Sequence, residues 1–270
     1  MSVISHIGKA LFRALPRRNE VLFRLSRKYV DAYRGDNNDD MRTNGELAVM
    51  RAALPNASTV FDVGANQGHW VAAALRIQDA ATYHCFEPSP STFRLLQATN
   101  LPSNVVLNNM GLGAASGSVD LFVFGDGLGA NSLYERRGTD AETLRREKVT
   151  ITTVDEYCYQ KAIQSIDFLK LDIEGHEFAA LQGARSALND GCVRMVQFEY
   201  GGTYIDSSVL LRDVWDYLAG FPAGYRMFKI TAGGLLPFPK YRQELETFQY
   251  SNWLAMTPDA ARGLQPRILN

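Results

Sequence analysis

Three acids and a histidine fall within six residues of one another: Asp172, Glu174, His176 and Glu177, in the stretch LDIEGHE. Carboxylates and an imidazole at that spacing can take a proton from a hydroxyl as a bond forms, or hold a divalent cation. The stretch is entered from an apolar run, Ile166 to Leu171, broken only by Asp167 and Lys170, and left through an apolar helix face at Phe178, Leu181, Ala184 and Leu188. In open α/β sheets ligands bind beyond the carboxyl ends of the strands. Asp172, Glu174 and His176 are therefore expected to be catalytic. The plainer alternative is that Glu177 only complements a helix dipole and His176 is a solvated first-turn residue.

A second stretch, DVGANQG from Asp62 to Gly68, is built to hold a ligand. Gly64 lets the backbone turn and come close, and Gly68 starts a helix whose first amides face the loop. The pattern lacks the GxGxxG needed to seat a diphosphate on a helix end, and it carries an acid ahead of the loop. Asp62 suits an ammonium group, and S-adenosylmethionine offers one without any phosphate. Nineteen residues past Gly68 stands Glu87, at the distance at which a βαβ unit delivers an acid to a ribose diol. Asn109, at the end of a third strand, would reach the same edge and meet an adenine. The cofactor set expected is thus Asp62, Gly64, Ala65, Asn66, Gly68, Glu87 and Asn109. Glu199, closing the apolar run Val193 to Phe198, puts another carboxylate at that edge.

The elements that must place these groups alternate as strands and helices. Ser58 to Val63, Thr82 to Phe86, Asn104 to Met110, Ile166 to Leu171, Val193 to Phe198, Tyr225 to Ile230 and Asn252 to Met256 read as strands, with amphipathic helices between the early ones. Residues 113–153 break the rhythm: two strands enclose a Gly-rich, then charged, segment that reads as a flap or a plain hairpin, with Asn131 and Ser132 as its notable polar residues. The segment 231–250, rich in Gly, Pro and aromatics, reads as a loop. Its Lys240, Tyr241 and Arg242 would either meet an acidic or sugar-like acceptor or only cover an edge.

Length and composition bound the rest. A chain of 270 residues with 46% hydrophobic and 21% charged content can bury the core of one α/β domain. A net charge of -1 gives no general attraction to nucleic acid, and none is expected as a partner. Cys85, Cys158 and Cys192 have no CxxC spacing and read as reduced thiols. No apolar run reaches the length of a membrane span, and Lys9, Arg13, Arg17 and Arg18 interrupt the start, so a soluble, cytoplasmic protein is expected. Residues 1–35 are basic and helical in pattern, with eight Lys or Arg against two acids. We expect them to pack on the main domain as a cap or dimer arm; a peripheral membrane or partner contact, or a homo-oligomer, is the other reading. RGDNNDD, Arg34 to Asp40, reads as a linker or mobile loop. The organisation expected is an N-terminal extension, 1–45, before a catalytic domain, 46–270.

The ordered set VFDVGANQG, FEPSP, TVDEY, DFLKLDIEGHEFAALQGA, VQFEYG and SNWLA resembles the FkbM family of S-adenosylmethionine-dependent methyltransferases, from about Glu46 to Met256. The resemblance implies the class I methyltransferase (Rossmann-like) α/β fold, with a seven-stranded, mostly parallel sheet whose last strand is antiparallel. It also implies O-methylation of a sugar, glycan or secondary-metabolite hydroxyl. In some sugar O-methyltransferases an acid ending the fourth strand and acids ending the fifth hold magnesium, and Asp172 with Glu199 is similar to that set. Here Tyr200 stands where a further acid would be. A nicotinamide oxidoreductase, disfavoured by the missing GxGxxG, and a non-catalytic binding module that keeps the glycine loop for packing are the alternatives.

Overall fold

A computed structural model of the chain describes residues 18–137, 144–264 and 267–269. Eight strands form one sheet. In chain order its first members are β1 (Thr59–Val63), β2 (Thr82–Phe86) and β3 (Val105–Asn108). A second, three-stranded sheet follows: β4 (Gly111–Leu112), β5 (Gly117–Val123) and β6 (Arg145–Thr152). The chain then returns to the main sheet with β7 (Phe168–Leu171), β8 (Met195–Tyr200), β9 (Arg226–Thr231), β10 (Gly234–Phe238) and β11 (Ser251–Met256).

Spatial order across the main sheet is β10-β9-β11-β8-β7-β1-β2-β3. The pairs from β3 through β8 are parallel, and β11 runs antiparallel to both β8 and β9. This is the class I methyltransferase arrangement expected from the sequence, with one correction. The segment read as a loop contains β10, which turns back on β9 at Ala232–Gly233 and adds an eighth, edge strand. Pro237 fits that strand because an edge leaves one side of the backbone without a partner.

Alternation along the strands decides where the chemistry can point. Phe61 and Val63 face one core with Phe86, Phe198 and Trp253, while Val60 faces the other with Tyr83, Phe168 and Leu254. Asp62 and Lys170 share the face of Val60 and lie side by side in register across β1 and β7. That face therefore carries charge inside an otherwise apolar layer.

Helices cover both faces. The one that matters most for cofactor binding, α3 (His69–Leu75), starts at Gly68, whose left-handed φ of 79° makes the turn out of β1. Before it come α1 (Glu20–Arg34) and α2 (Glu46–Ala53). After it, α4 (Pro90–Gln97) is capped by Ser89 with Pro90 in its first position, as FEPSP predicts. The later helices are α5 (Val154–Lys161), α6 (Glu177–Gln182), α7 (Arg185–Asn189), α8 (Thr203–Ser207), α9 (Leu211–Ala219) and α10 (Pro258–Gly263). The helix read through Leu188 breaks into α6 and α7 near Gly183, where a side chain would collide with the carbonyl oxygen of Gly113.

Two expectations for the N-terminal region are overturned. No residue of α1 is buried, so its described part does not pack on the domain as a cap. RGDNNDD is not a loose linker: Asp36 is buried against the Lys229 ammonium, and the Asn37 amide donates to the carbonyl of Tyr250. The first half of the predicted N-terminal helix pair, with Ile4, Ile7, Leu11 and Leu15, lies outside the described residues. All three cysteines are free; Cys85 is buried and the other two half-buried. Among the described residues no helix is long and apolar enough to cross a membrane.

Candidate active site

Two cavities open at the carboxyl ends of the parallel strands and share a wall. The first is lined by Gly64, Asn66, Glu87, Gly111, Leu112, Ile151 and His176, with Asp172 and Glu174 at one side. The second, wider open, runs past Asp172, Glu174 and Glu199 to Gly201, Asp206, Tyr250 and Asp39. Leu128 and Gly129, from the loop between β5 and β6, border both. Of the flap and the plain hairpin expected from the sequence, the described part of that loop fits the flap, because it borders both cavities.

The first cavity is shaped by backbone. Gly64 sits at φ 82°, and a Cβ there would lie 1.8 Å from the carbonyl oxygen of Asp172. Only glycine lets the turns after β1 and β7 pass so closely. Glu87 is anchored where β2 ends: its Oε2 accepts from the Asn66 amide at 3.1 Å and its Oε1 from the Ser89 amide at 2.9 Å. Burial pushes its carboxyl up to about 7, and the two amides work against that rise. Asn66 Oδ1 is buried without a partner. An unsatisfied acceptor beside an anchored carboxylate, both on a cavity wall, fits a ligand that brings N–H and hydroxyl donors. The ammonium and ribose of S-adenosylmethionine are such donors, and Leu112, Leu121 and Ile151 offer apolar contact for a base.

Four expected cofactor residues do not line this cavity. Asp62 is fully buried inside β1, and the ammonium it meets is that of Lys170, 3.1 Å away, because its strand position turns it to the face Lys170 occupies. Ala65 is buried in the core, and its amide donates to Phe86. Gly68 caps α3, with Leu96 against the place a side chain would take. Asn109 is exposed; its Nδ2 donates to the carbonyls of Glu87 and Pro88, so it steadies the strand end instead of meeting a base.

The wall between the cavities is shaped by charge. Lys170 Nζ lies 3.1 Å from both Asp62 and Asp172. Burial opposes its charge, yet the two carboxylates raise its pKa, and it stays protonated. For Asp172 burial also opposes charge, but Lys170 and a hydrogen bond from Glu199 hold it low. Glu199 goes the other way: burial, then Asp172 and Glu174, push it well above the carboxylate range. Between the two, Glu199 keeps the proton.

Glu174 stands at φ 54°, an unusual backbone state for a residue with a side chain, at the tip of the turn. The turn is held from beneath by Glu177, whose two oxygens accept the amides of Ile173 at 2.9 Å and Gly175 at 3.0 Å. Glu177 thus does more than complement a dipole; it fixes the loop that presents Glu174. Burial pushes Glu174 up to about 7, while Arg136, its Nη2 2.5 Å from Oε2, pulls it back down. Ser132 donates to the Glu174 carbonyl, and the Tyr134 hydroxyl lies 2.9 Å from His176 Nδ1. Burial drives His176 down to about 4, so it is a neutral imidazole at pH 7.

Nothing local in the sequence marks the flap residues Tyr134 and Arg136 as it marks Ser132. They stand about 40 positions from their partners, too far for a local pattern to pair them. Lys170 left a usable signal, a cation inside a buried strand, which requires buried anions beside it. Lys240, Tyr241 and Arg242 line neither cavity, and the Tyr241 hydroxyl donates to Glu246. Tyr200 is buried and bonded to Glu246 too, so it offers nothing to a metal.

Over 174 residues the chain is 28% identical to the hexuronic acid methyltransferase AglP of Haloferax volcanii, covering 63% of this chain and 69% of that one. Over 176 residues it is 22% identical to the 2-O-methyltransferase NoeI of Sinorhizobium fredii, covering 60% and 71%. Among solved structures, it is similar to a precorrin-6y C5,15-methyltransferase from Geobacter metallireducens at TM-score 0.40 and 10% identity, covering 82% of this chain and 98% of that one. The profile of the Methyltransferase FkbM domain matches residues 62–227, the span from the end of β1 to the start of β9 that carries the first cavity's lining and the wall shared with the second. The chain belongs to the FkbM family of S-adenosylmethionine-dependent methyltransferases.

Proposed function

We propose that this methyltransferase acts on a hydroxyl of a sugar or glycan, with Glu174 taking the proton. The observation that carries the reading is the shared wall: Asp172 and Glu174 border the cofactor cavity on one side and the open groove on the other. A methyl donor in the first and an acceptor in the second would meet at Glu174. Sulfonium chemistry makes the methyl group electrophilic, so the protein has to align the acceptor and remove its proton as the bond forms. A carboxylate held near neutrality by burial suits that task. The groove's Asp39, Asp206 and Glu199 are hydrogen-bond acceptors for a polyhydroxylated molecule. The names of AglP and NoeI, a hexuronic acid methyltransferase and a 2-O-methyltransferase, support the same acceptor class. Glu87 and Asn66 hold the cofactor; His176, neutral and pinned to Tyr134, orients the turn.

Magnesium is a second reading, resting on one observation. Asp172, Glu174 and Glu199 each offer a carboxylate oxygen, all within 4.8 Å of one another. An all-oxygen set fits a hard divalent cation, and Asp172 with Glu199 would be its main ligands. Such an ion would lower the pKa of the acceptor hydroxyl. Lys170 and Arg136 already offset two of the three acids, and Glu199 is the one left to exchange a proton for a cation. If activity survives EDTA unchanged and Glu199→Gln is fully active, the metal reading fails.

The acceptor is tested by incubating the enzyme with methyl-labelled cofactor and cell extract, then identifying the labelled product. A methyl group found on oxygen of a sugar supports the reading. Label on nitrogen or carbon, or equal labelling by Glu174→Gln, refutes it.

A further inference from the structure

Among the described residues helix α1 buries no side chain, and most of its apolar side, Leu22 being half-buried, is in water. Its 15 residues are capped at both ends, by the Asn19 side chain accepting from the Leu22 amide and by Gly35 in the left-handed region. Yet Val21, Phe23, Leu25, Tyr29, Val30 and Tyr33 are between 41% and 79% exposed. A helix of that length is marginal in water without a surface to lie on. Every charged residue falls on one side: Glu20, Arg24, Arg27, Lys28, Asp31 and Arg34 occupy roughly 120° of the helix circumference at 3.6 residues per turn. The uncharged residues take an arc of roughly 200°.

We propose that α1 binds flat on the surface of an anionic lipid bilayer. Three features select that occupant. The apolar arc is too wide for a two-helix seam, which covers only a narrow stripe and would leave half of this side wet. It does match a cylinder sunk to about its midline in the headgroup boundary. The charged side carries four cations against two anions, and Arg18 adds another cation just ahead, so its net charge complements acidic headgroups. Tyr29 and Tyr33 stack with ring centroids 6.4 Å apart, each pairing an apolar ring with a polar tip, as suits an interface.

The placement gives the contact a use. Beyond Gly35 the chain is clamped by Asp36 on Lys229, and Asp39, five residues past the helix end, lines the open groove beside Tyr250. A bilayer holding α1 is therefore tethered next to the mouth of that groove. The proposal does not depend on the identity of the acceptor, because it is read from binding alone.

The test is co-sedimentation of the full chain with vesicles of phosphatidylcholine, with and without phosphatidylglycerol. Binding is expected on the mixed vesicles and to weaken as salt rises. The Phe23→Glu, Leu25→Glu double variant should reduce it by on the order of 100-fold, by removing buried apolar area. Arg24→Gln and Lys28→Gln should each weaken it about fivefold. Cofactor affinity by calorimetry, unchanged in all of them, shows that the fold is intact. Failure to bind the mixed vesicles overturns the proposal, as does binding that the double variant leaves unaltered. Concentration-dependent dimers abolished by the double variant, with no vesicle binding, would assign the face to a second copy instead.

Discussion

The two halves of the site are held together by different means. After β1 and β2 the cofactor side is made of main chain: Gly64 against the Asp172 carbonyl, and Glu87 fixed by the amides of Asn66 and Ser89. After β7 and β8 the acceptor side is made of side-chain charge: Lys170 between two aspartates, protonated Glu199 hydrogen-bonded to Asp172, and Arg136 reaching from the flap to Glu174. The Glu87 carboxyl aside, main-chain contacts do not titrate and barely move, whereas charge pairs respond to pH and to whatever enters. The cofactor side should thus act as a fixed seat and the acceptor side as an adjustable one.

The largest break in that comparison is at Glu174. Glu174→Gln keeps the shape of the turn and removes the base, so methyl transfer should fall by about 10²- to 10⁴-fold. Cofactor affinity, measured by calorimetry, should change by no more than about twofold, because the seat is elsewhere. Glu87→Gln is the mirror test. It removes a charged acceptor facing the cofactor cavity, and such hydrogen bonds are worth about 1.5–3 kcal/mol, so cofactor Kd should rise by about 10- to 100-fold. The rate at saturating cofactor should drop far less. If Glu174→Gln weakens cofactor binding and Glu87→Gln spares it, the two ends of the site have been assigned the wrong way round.

The same contrast explains what could be read from sequence. Gly64, Glu87 and the acids after β7 stand at strand ends, and strand ends are visible as breaks in hydrophobic periodicity. Asp62 departs from the expectation because neighbours on a strand face opposite sides, and Asp62 falls on the side of Lys170. Asn109 departs from the expectation too, since its side-chain amide serves carbonyls at the end of the neighbouring strand β2. Tyr134 and Arg136 could not be reached, because a flap residue finds its partner only after the sheet has assembled. The eighth strand hid in a loop-like composition of Gly and Pro that an edge position tolerates.

Arg136 gives a smaller effect with a more specific sign. Its guanidinium lowers the pKa of Glu174 against the rise caused by burial. Arg136→Gln should therefore raise that pKa, and the acid limb of kcat/KM should move to higher pH. At pH 7 the loss should be about tenfold or less, and it should shrink as the pH is raised. A merely structural role for Arg136 would lower activity equally at every pH. An unmoved acid limb would mean that Glu174 does not titrate in the rate, and the adjustable side would lose its main support.

The smallest expected effect lies beneath the fixed side. His84, on β2, is 7% exposed, with Nδ1 2.8 Å from the Tyr157 hydroxyl, which in turn donates to Asn108 Oδ1. With the tyrosine proton committed to Asn108, His84 Nδ1 has to be the donor, in a neutral ring. Burial lowers its pKa from 6.5 to about 4, with Lys161 adding to the effect. Between those values the unfolded chain binds a proton that the folded protein refuses, so stability is lost as pH falls from about 6.5 toward 4. For this one group the loss is on the order of 2 kcal/mol. His84→Gln should lower stability at pH 7 by about 1 kcal/mol through the imperfect fit, and should flatten the acid slope measured by urea unfolding. If the slope between pH 6.5 and 4.5 is the same in both proteins, the imidazole is charged in the fold, and the layer under the cofactor seat is wetter than its packing implies.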